Sequence, residues 1–175
     1  MNFSKGLQKI VDILDAEDIS YMMVGGFAMS YYNRFRFTAD IDCVVQIYPN
    51  QIEKIVRHFP DWLPFLEAFL ESARQGILFN LTDYETGIKY DFMLYDDSDY
   101  DWTAFERRRK VDFFGVQCYI SSPEDLILSK LKWYQYGQSA KQIEDIKFLL
   151  QEPSLNRQYL ETWATRLNIN RYGLF

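Results

Sequence analysis

Leu7, Ile10, Val11 and Leu14 recur three and four residues apart, and that spacing predicts a first helix over residues 3–16 with one apolar face. The run "ISYMMV" reads as a short buried strand that stops at Gly25 and Gly26, and "FAMSYYN" as a helix behind them. "DIDCVVQI" predicts a second strand, ended by Pro49 and Asn50. "QIEKIVRHF" and "WLPFLEAFLESA" carry helical periodicity, the latter with Pro64 near its start. "GILFNLTD" and "IKYDFMLY" predict a hairpin around "YETG". "DYDWTAFERRR" predicts a helix, and "KVDFFGVQCYI" two short strands hinged at Gly115. "SSPEDLILSKLKWYQYG" carries a full set of helix signals: Ser at the cap, Pro in the first turn, Glu and Asp next, Gly at the end. "AKQIEDIKFLL" predicts a further helix, and a last one follows Pro153. This order predicts an α/β (α+β) fold: a mixed sheet flanked by helices over residues 1–120, and a helical C-terminal part over 121–175 packed on it.

Composition narrows the chemistry. With 175 residues, 48% hydrophobic and 18% aromatic, the chain can bury one sizeable core. A net charge of −6 means that any nucleic-acid contact has to come from a local patch, and "RRRK", Arg107 to Lys110, is the one basic run. Cys43 and Cys118 fall in apolar, strand-like runs and read as reduced thiols of a cytoplasmic protein. The start "MNFSKGLQKI" is too polar for a secretion signal, and no apolar stretch approaches a membrane span. His58 is the single histidine, which leaves little material for a histidine metal cluster or a Ser/His triad. Any catalysis here falls to carboxylates and lysines.

Asp40 and Asp42 stand two apart on a strand, so both project to one side, about 6–7 Å apart at Cα. Ile41 and Cys43 point the other way. Two carboxylates crowded on one face repel, and a divalent cation between them relieves the repulsion; paired metals in phosphoryl-transfer sites lie about 3.5–4 Å apart, which such carboxylates can bridge. In "IKYDFMLY" the residues Ile88, Tyr90, Phe92 and Leu94 form one face, and Asp91 lies on the other beside Met93. An acid in mid-strand is costly to bury unless it is paired or metal-bound. Gly25-Gly26, between a strand and a helix, would bring backbone N–H groups close to a phosphate, or would simply make a tight turn. Lys130 lies at helical spacing among Leu126, Ile127, Trp133 and Tyr134, where a lysine either snorkels to water or reaches a triphosphate as a point charge. Lys141 and Asp145, four apart, would by themselves be a surface pair. Arg36 and Thr38 share the strand parity of Asp40. Tyr31, Tyr32, Trp133 and Tyr136 could stack a base or line the core.

Gly25-Gly26, a short helix, Asp40 and Asp42, and then Asp91 on a later strand together resemble the DNA polymerase β-like nucleotidyltransferases. Within that superfamily, "GGFAMSYYNRFRFTADID" is most similar to the bacterial AbiEii-type group, many of them toxins of toxin–antitoxin pairs. That group's Arg-x-Thr-x-Asp-x-Asp run is matched by Arg36, Thr38, Asp40 and Asp42, and its "PEDL…SKL" helix by Pro123 to Leu131. A following helix with a basic residue and "DI" is matched by Lys141 and Asp145-Ile146. The resemblance implies a Mg²⁺- or Mn²⁺-dependent transferase that moves an NMP from an NTP such as ATP to a hydroxyl of tRNA or protein, with a cognate antitoxin as partner. Asp40, Asp42 and Asp91 would be catalytic and metal-holding. Gly25, Gly26, Arg36, Thr38, Lys130, Lys141 and Asp145 would hold the nucleotide. The rival expectation is an antitoxin-like protein of the same fold that binds nucleotide without transferring it. A metal-dependent phosphohydrolase fits less well, because such sites usually recruit histidine.

Overall fold

The proline, glycine and apolar punctuation of the chain becomes a six-stranded mixed sheet with helices in a computed structural model that describes residues 3–32, 40–76 and 79–175. The elements run α1 (Phe3–Ala16), β1 (Tyr21–Met23), α2 (Gly25–Tyr31), β2 (Asp40–Val45), α3 (Glu53–Val56), α4 (Leu66–Arg74), β3 (Phe79–Asp83), β4 (Ile88–Leu94), α5 (Asp99–Glu106), β5 (Arg109–Phe113), β6 (Val116–Ile120), α6 (Pro123–Gly137), α7 (Ala140–Leu149) and α8 (Arg157–Arg166). The strand order is β3-β4-β2-β1-β6-β5. β2 runs parallel to β4 and antiparallel to β1, and β1 runs parallel to β6. Hairpins form both ends of the sheet. The β5–β6 turn puts both Phe114 (φ 54) and Gly115 (φ 80) at positive φ, the backbone that closes a two-residue hairpin without splaying its strands.

One face of the sheet is dry. Ile41, Cys43, Val45, Tyr90 and Phe92 are buried there with Leu7, Ile10 and Leu14 of α1. The Tyr90 hydroxyl donates to Gly6 O at 2.9 Å, which fixes α1 over β4. A Cβ on Gly6 would come within 2.7 Å of Ile88 Cγ1, so the helix lies this close only because that residue is glycine. The period-two alternation sends Asp40, Asp42, Lys89 and Asp91 to the opposite face.

Proline sets the main departures from the expected elements. The α-helix expected over "QIEKIVRHF" shrinks to Glu53–Val56 between two 3₁₀ turns, Pro49–Gln51 and Pro60–Phe65, and α4 begins only after Pro64. Gly137 is the last residue of α6 and Gln138 takes the left-handed turn at φ 42. α5 stops at Glu106, which leaves Arg107 and Arg108 outside the helix.

The N-terminus of α6 is an anchor. Ser122 caps it by accepting from Asp125 N at 3.2 Å. Glu124, fully buried, accepts from Arg107 Nη2 at 2.8 Å and from the backbone N–H of Asn156, the residue that caps α8. Asp125 accepts from the hydroxyls of Tyr159 (2.8 Å) and Tyr100 (3.3 Å), while the Arg107 guanidinium lies 3.8 Å from the Tyr159 ring centre. The basic run is thus largely engaged by the protein: Arg107 here, and Arg108 over the rings of Phe105 and Tyr119. Among the described residues no helix is long and apolar enough to cross a membrane.

Candidate active site

β2 and β4 pair in a register that sets Asp42 directly beside Asp91, and Asp40 beside Lys89. The pleat turns all four side chains to the face away from α1, so three carboxylates and one ammonium share a two-by-two block. The glycine turn reaches the same block. Val24 N donates to Asp42 O at 2.9 Å, and Gly26 N donates to Asp42 Oδ2 at 3.3 Å. Gly25 has φ +58, and a Cβ there would sit 2.1 Å from Asp42 Oδ2. Glycine is required at that position both for its backbone and for the carboxylate packed against it.

Burial pushes the Asp42 carboxyl above its usual range; the Gly26 N–H pulls it down, while Asp91 and Asp40 raise it further and Lys89 lowers it. Lys89 Nζ stands 2.7 Å from Asp91 Oδ1 and 2.9 Å from Oδ2, and this contact pushes the lysine up. As placed, among the described residues, no three His, Cys, Asp or Glu side chains stand as a group that would hold a metal ion. The reason is local: Asp91 is turned onto Lys89, and Asp42 onto Gly26. The donor set itself fits a hard cation, being all carboxylate oxygen with a deficit of positive charge, which suits Mg²⁺ or Mn²⁺.

Of the other expected site residues, Arg36 and Thr38 lie outside the described residues. Lys130 is buried on α6, with Nζ 2.8 Å from Asp145 Oδ2 and 3.3 Å from Gln142 Oε1. Asp145 is therefore a buried partner of Lys130, while Lys141 is exposed. One turn beyond Lys130, Trp133 is 54% exposed and lines a cleft of about 820 Å³ with Met93, Tyr48 and Asp96. Met93 follows Asp91 by two, so the cleft opens one pleat past the acids on their own face. Tyr32 is buried and donates to Ser121 O, and Tyr31 packs on Phe113. Tyr136, by contrast, is open to solvent.

Lys89 stands outside the set of site residues expected from the sequence. Its signal was in plain view: two residues before Asp91 on a strand, it shares that acid's face.

A mixed sheet that brings a glycine turn against one acid of a pair, and a third acid beside it, has the form of a nucleotidyltransferase. Residues 3–169 match the DUF6036 family, described as a nucleotidyltransferase of unknown function, and the chain belongs to that family of transferases. The solution structure of the antibiotic-resistance factor ANT(2'')-Ia is similar with a TM-score of 0.59 at 16% identity, over 96% of this chain and 93% of that one. The crystal structure of ANT(2'')-Ia in complex with adenylyl-2''-tobramycin gives 0.55 at 16%, over 94% and 95%. An antigenic nucleotidyltransferase-like protein from Paracoccidioides brasiliensis gives 0.53 at 19%, over 93% and 86%. At these identities the likeness shows the fold. Among curated proteins, none matches this chain by sequence.

Proposed function

We propose that the protein transfers an NMP from an NTP, with ATP as the first candidate, to a hydroxyl acceptor, with Mg²⁺ or Mn²⁺ held by Asp40, Asp42 and Asp91. The observation that carries this reading is the register of Asp42 against Asp91 beside the Gly25-Gly26 turn. A divalent ion bound there supplies positive charge to the triphosphate. The chain's own groups do the rest. The acceptor oxygen bonds to the α-phosphorus as the bond to the bridging oxygen breaks and pyrophosphate leaves. Asp91, two residues before Met93 of the cleft lining, takes the hydroxyl proton. Gly25, Gly26, Lys130 and Lys141, with Arg36 and Thr38 from the resemblance, hold the phosphates, and Asp145 holds Lys130.

The acceptor has two supported readings. The AbiEii-type resemblance supports a tRNA or protein hydroxyl, a toxin role and an antitoxin partner in the cytoplasm. The cleft supports a small molecule instead: it offers Tyr48 and Trp133 as aromatic walls and Asp96 as an acid, and the neighbouring fold was solved with adenylyl-tobramycin. The test is incubation with each α-labelled NTP and Mg²⁺ or Mn²⁺, together with total tRNA, cell protein or a panel of aminoglycosides. Label in one acceptor pool identifies the class. Nucleotide binding with no label in any pool would favour the non-catalytic, antitoxin-like alternative.

A further inference from the structure

We propose that Lys89 is a resident cation of the acid site, one that holds Asp91 until a divalent metal claims that carboxylate and so couples metal entry to nucleotide binding; this rests on the metal-dependent reading above. The geometry begins with two contacts, since Lys89 Nζ lies within 2.9 Å of both Asp91 oxygens. An ammonium hydrogen-bonded to one oxygen of a carboxylate and within ion-pair distance of the other opposes a second cation at that carboxylate. The register places the same lysine beside Asp40 across the strand pair. Lys89 is thus within reach of the whole block and of every acid expected to hold the metal.

Its mobility follows from chemistry and exposure. The Lys89 side chain is 39% exposed and Asp91 only 14%, so the lysine can swing out on its four-carbon stem while the acid stays in place. Metal alone must displace the ammonium into water, with nothing offered in return. Metal arriving with a triphosphate gives the displaced ammonium a new anion on the same face. The metal therefore binds weakly by itself and more tightly with nucleotide, and part of that coupling belongs to Lys89.

The test is titration calorimetry of the full chain with Mn²⁺, with and without α,β-methylene ATP, on the wild type, Lys89→Met and Lys89→Arg. Lys89→Met should bind Mn²⁺ alone roughly tenfold more tightly than the wild type, and should gain less from the nucleotide analogue. Lys89→Arg keeps the charge and should keep the weak metal-only binding. Melting temperature gives a second readout. Lys89→Met should melt below the wild type without metal and recover when Mn²⁺ is added, because the metal then replaces the missing cation. A loss of melting temperature that Mn²⁺ leaves unchanged would mark Lys89 as structural and overturn the proposal. So would Mn²⁺ affinities that agree between Lys89→Met and a metal-binding wild type. Failure of all three proteins to bind Mn²⁺, even with the analogue, would overturn the metal reading itself and the proposal with it.

Discussion

The carboxylates at the head of β2 and those at the head of α6 are both drawn away from bulk water, yet they are partnered in opposite ways. Glu124 and Asp125 are met by the Arg107 guanidinium, two tyrosine hydroxyls, a serine cap and the backbone N–H of Asn156. Asp42 is met by one long backbone contact and by two further acids, with Lys89 as the nearby cation. Burial raises both Asp42 and Asp125, so burial does not distinguish them. The opposing groups do: Ser122, Tyr159 and Arg107 lower Asp125, against Gly26 N–H and Lys89 for Asp42. A carboxylate whose partners come from the protein fastens elements together. One whose charge the protein leaves in excess is open to a cation from outside.

The largest expected effect breaks the comparison on the catalytic side. Asp42→Asn should lower labelled-NMP transfer by about 10²–10³-fold, in line with the loss of a single charge-stabilising group in other active sites, while the far-ultraviolet circular dichroism stays native. Transfer within a factor of a few of the wild type would show that Asp42 holds no metal. On the structural side, Glu124→Ala leaves Arg107 and the Asn156 N–H facing a gap. It should cost about 3–5 kcal/mol of unfolding free energy, read by urea titration. Once the protein is kept folded by low temperature, its metal affinity should be untouched. Equal loss of metal binding in Glu124→Ala would merge the two clusters into one site.

A third pair sharpens the comparison because it has features of both. Lys130 and Asp145 meet at 2.8 Å and are buried, like the anchor, but Lys130 sits a turn from Trp133 on the aromatic wall of the cleft. Lys130→Met should destabilise by about 2–3 kcal/mol, near the lower end for a broken buried pair, since the lysine side chain is still 8% exposed. Adding Asp145→Leu should restore most of that stability. Nucleotide affinity in the double mutant then decides the assignment. Recovery along with stability makes the pair a strut, whereas a persistent loss makes Lys130 a phosphate contact.

Which parts were legible in the sequence follows from the range of the interactions that fix them. The α1 face, the "YETG" hairpin and the Ser122 cap are local, and each was readable from spacing and end signals. The common face of Asp40 and Asp42 was readable for the same reason. That Asp42 stands opposite Asp91 depends on which strands pair and in what register, and no local pattern carries that information. The same limit hid the anchor. Glu124 and Asp125 look like first-turn acids facing a helix dipole, and only the packing of α5 and α8 turns them into buried acceptors. Lys141 and Asp145 obey helical spacing, yet the bundle assigned Asp145 to Lys130 on another helix. Helix length is least legible where prolines cluster, since Pro49, Pro60 and Pro64 bound turns within a pattern whose apolar periodicity alone runs on.

The smallest expected effect is one of sign, and it separates the two clusters without any substrate. Asp42 has its carboxyl raised from the usual 3.8 in the folded protein, so the folded state resists ionising it. The stability tied to that group is complete below the usual value and is lost as pH rises through the raised one. Asparagine at this position never ionises and escapes the loss. Metal-free Asp42→Asn should therefore be slightly more stable than the wild type at neutral pH. The advantage should shrink to nothing as pH falls through the raised value toward 3.8, and added Mn²⁺ should reverse the order at neutral pH. Asp125 is raised as well, but Asp125→Asn keeps only the oxygen that accepts from Tyr159 and Tyr100, and puts an amide NH2 where Oδ2 accepts from the Ser122 hydroxyl and faces Arg107. It should be less stable than the wild type at every pH between 4 and 8, with or without metal. Urea titrations of the three proteins across that range provide the measurement. A neutral-pH penalty for metal-free Asp42→Asn would mean that the charge of Asp42 is already satisfied by the protein, and the contrast between the two clusters would not survive it.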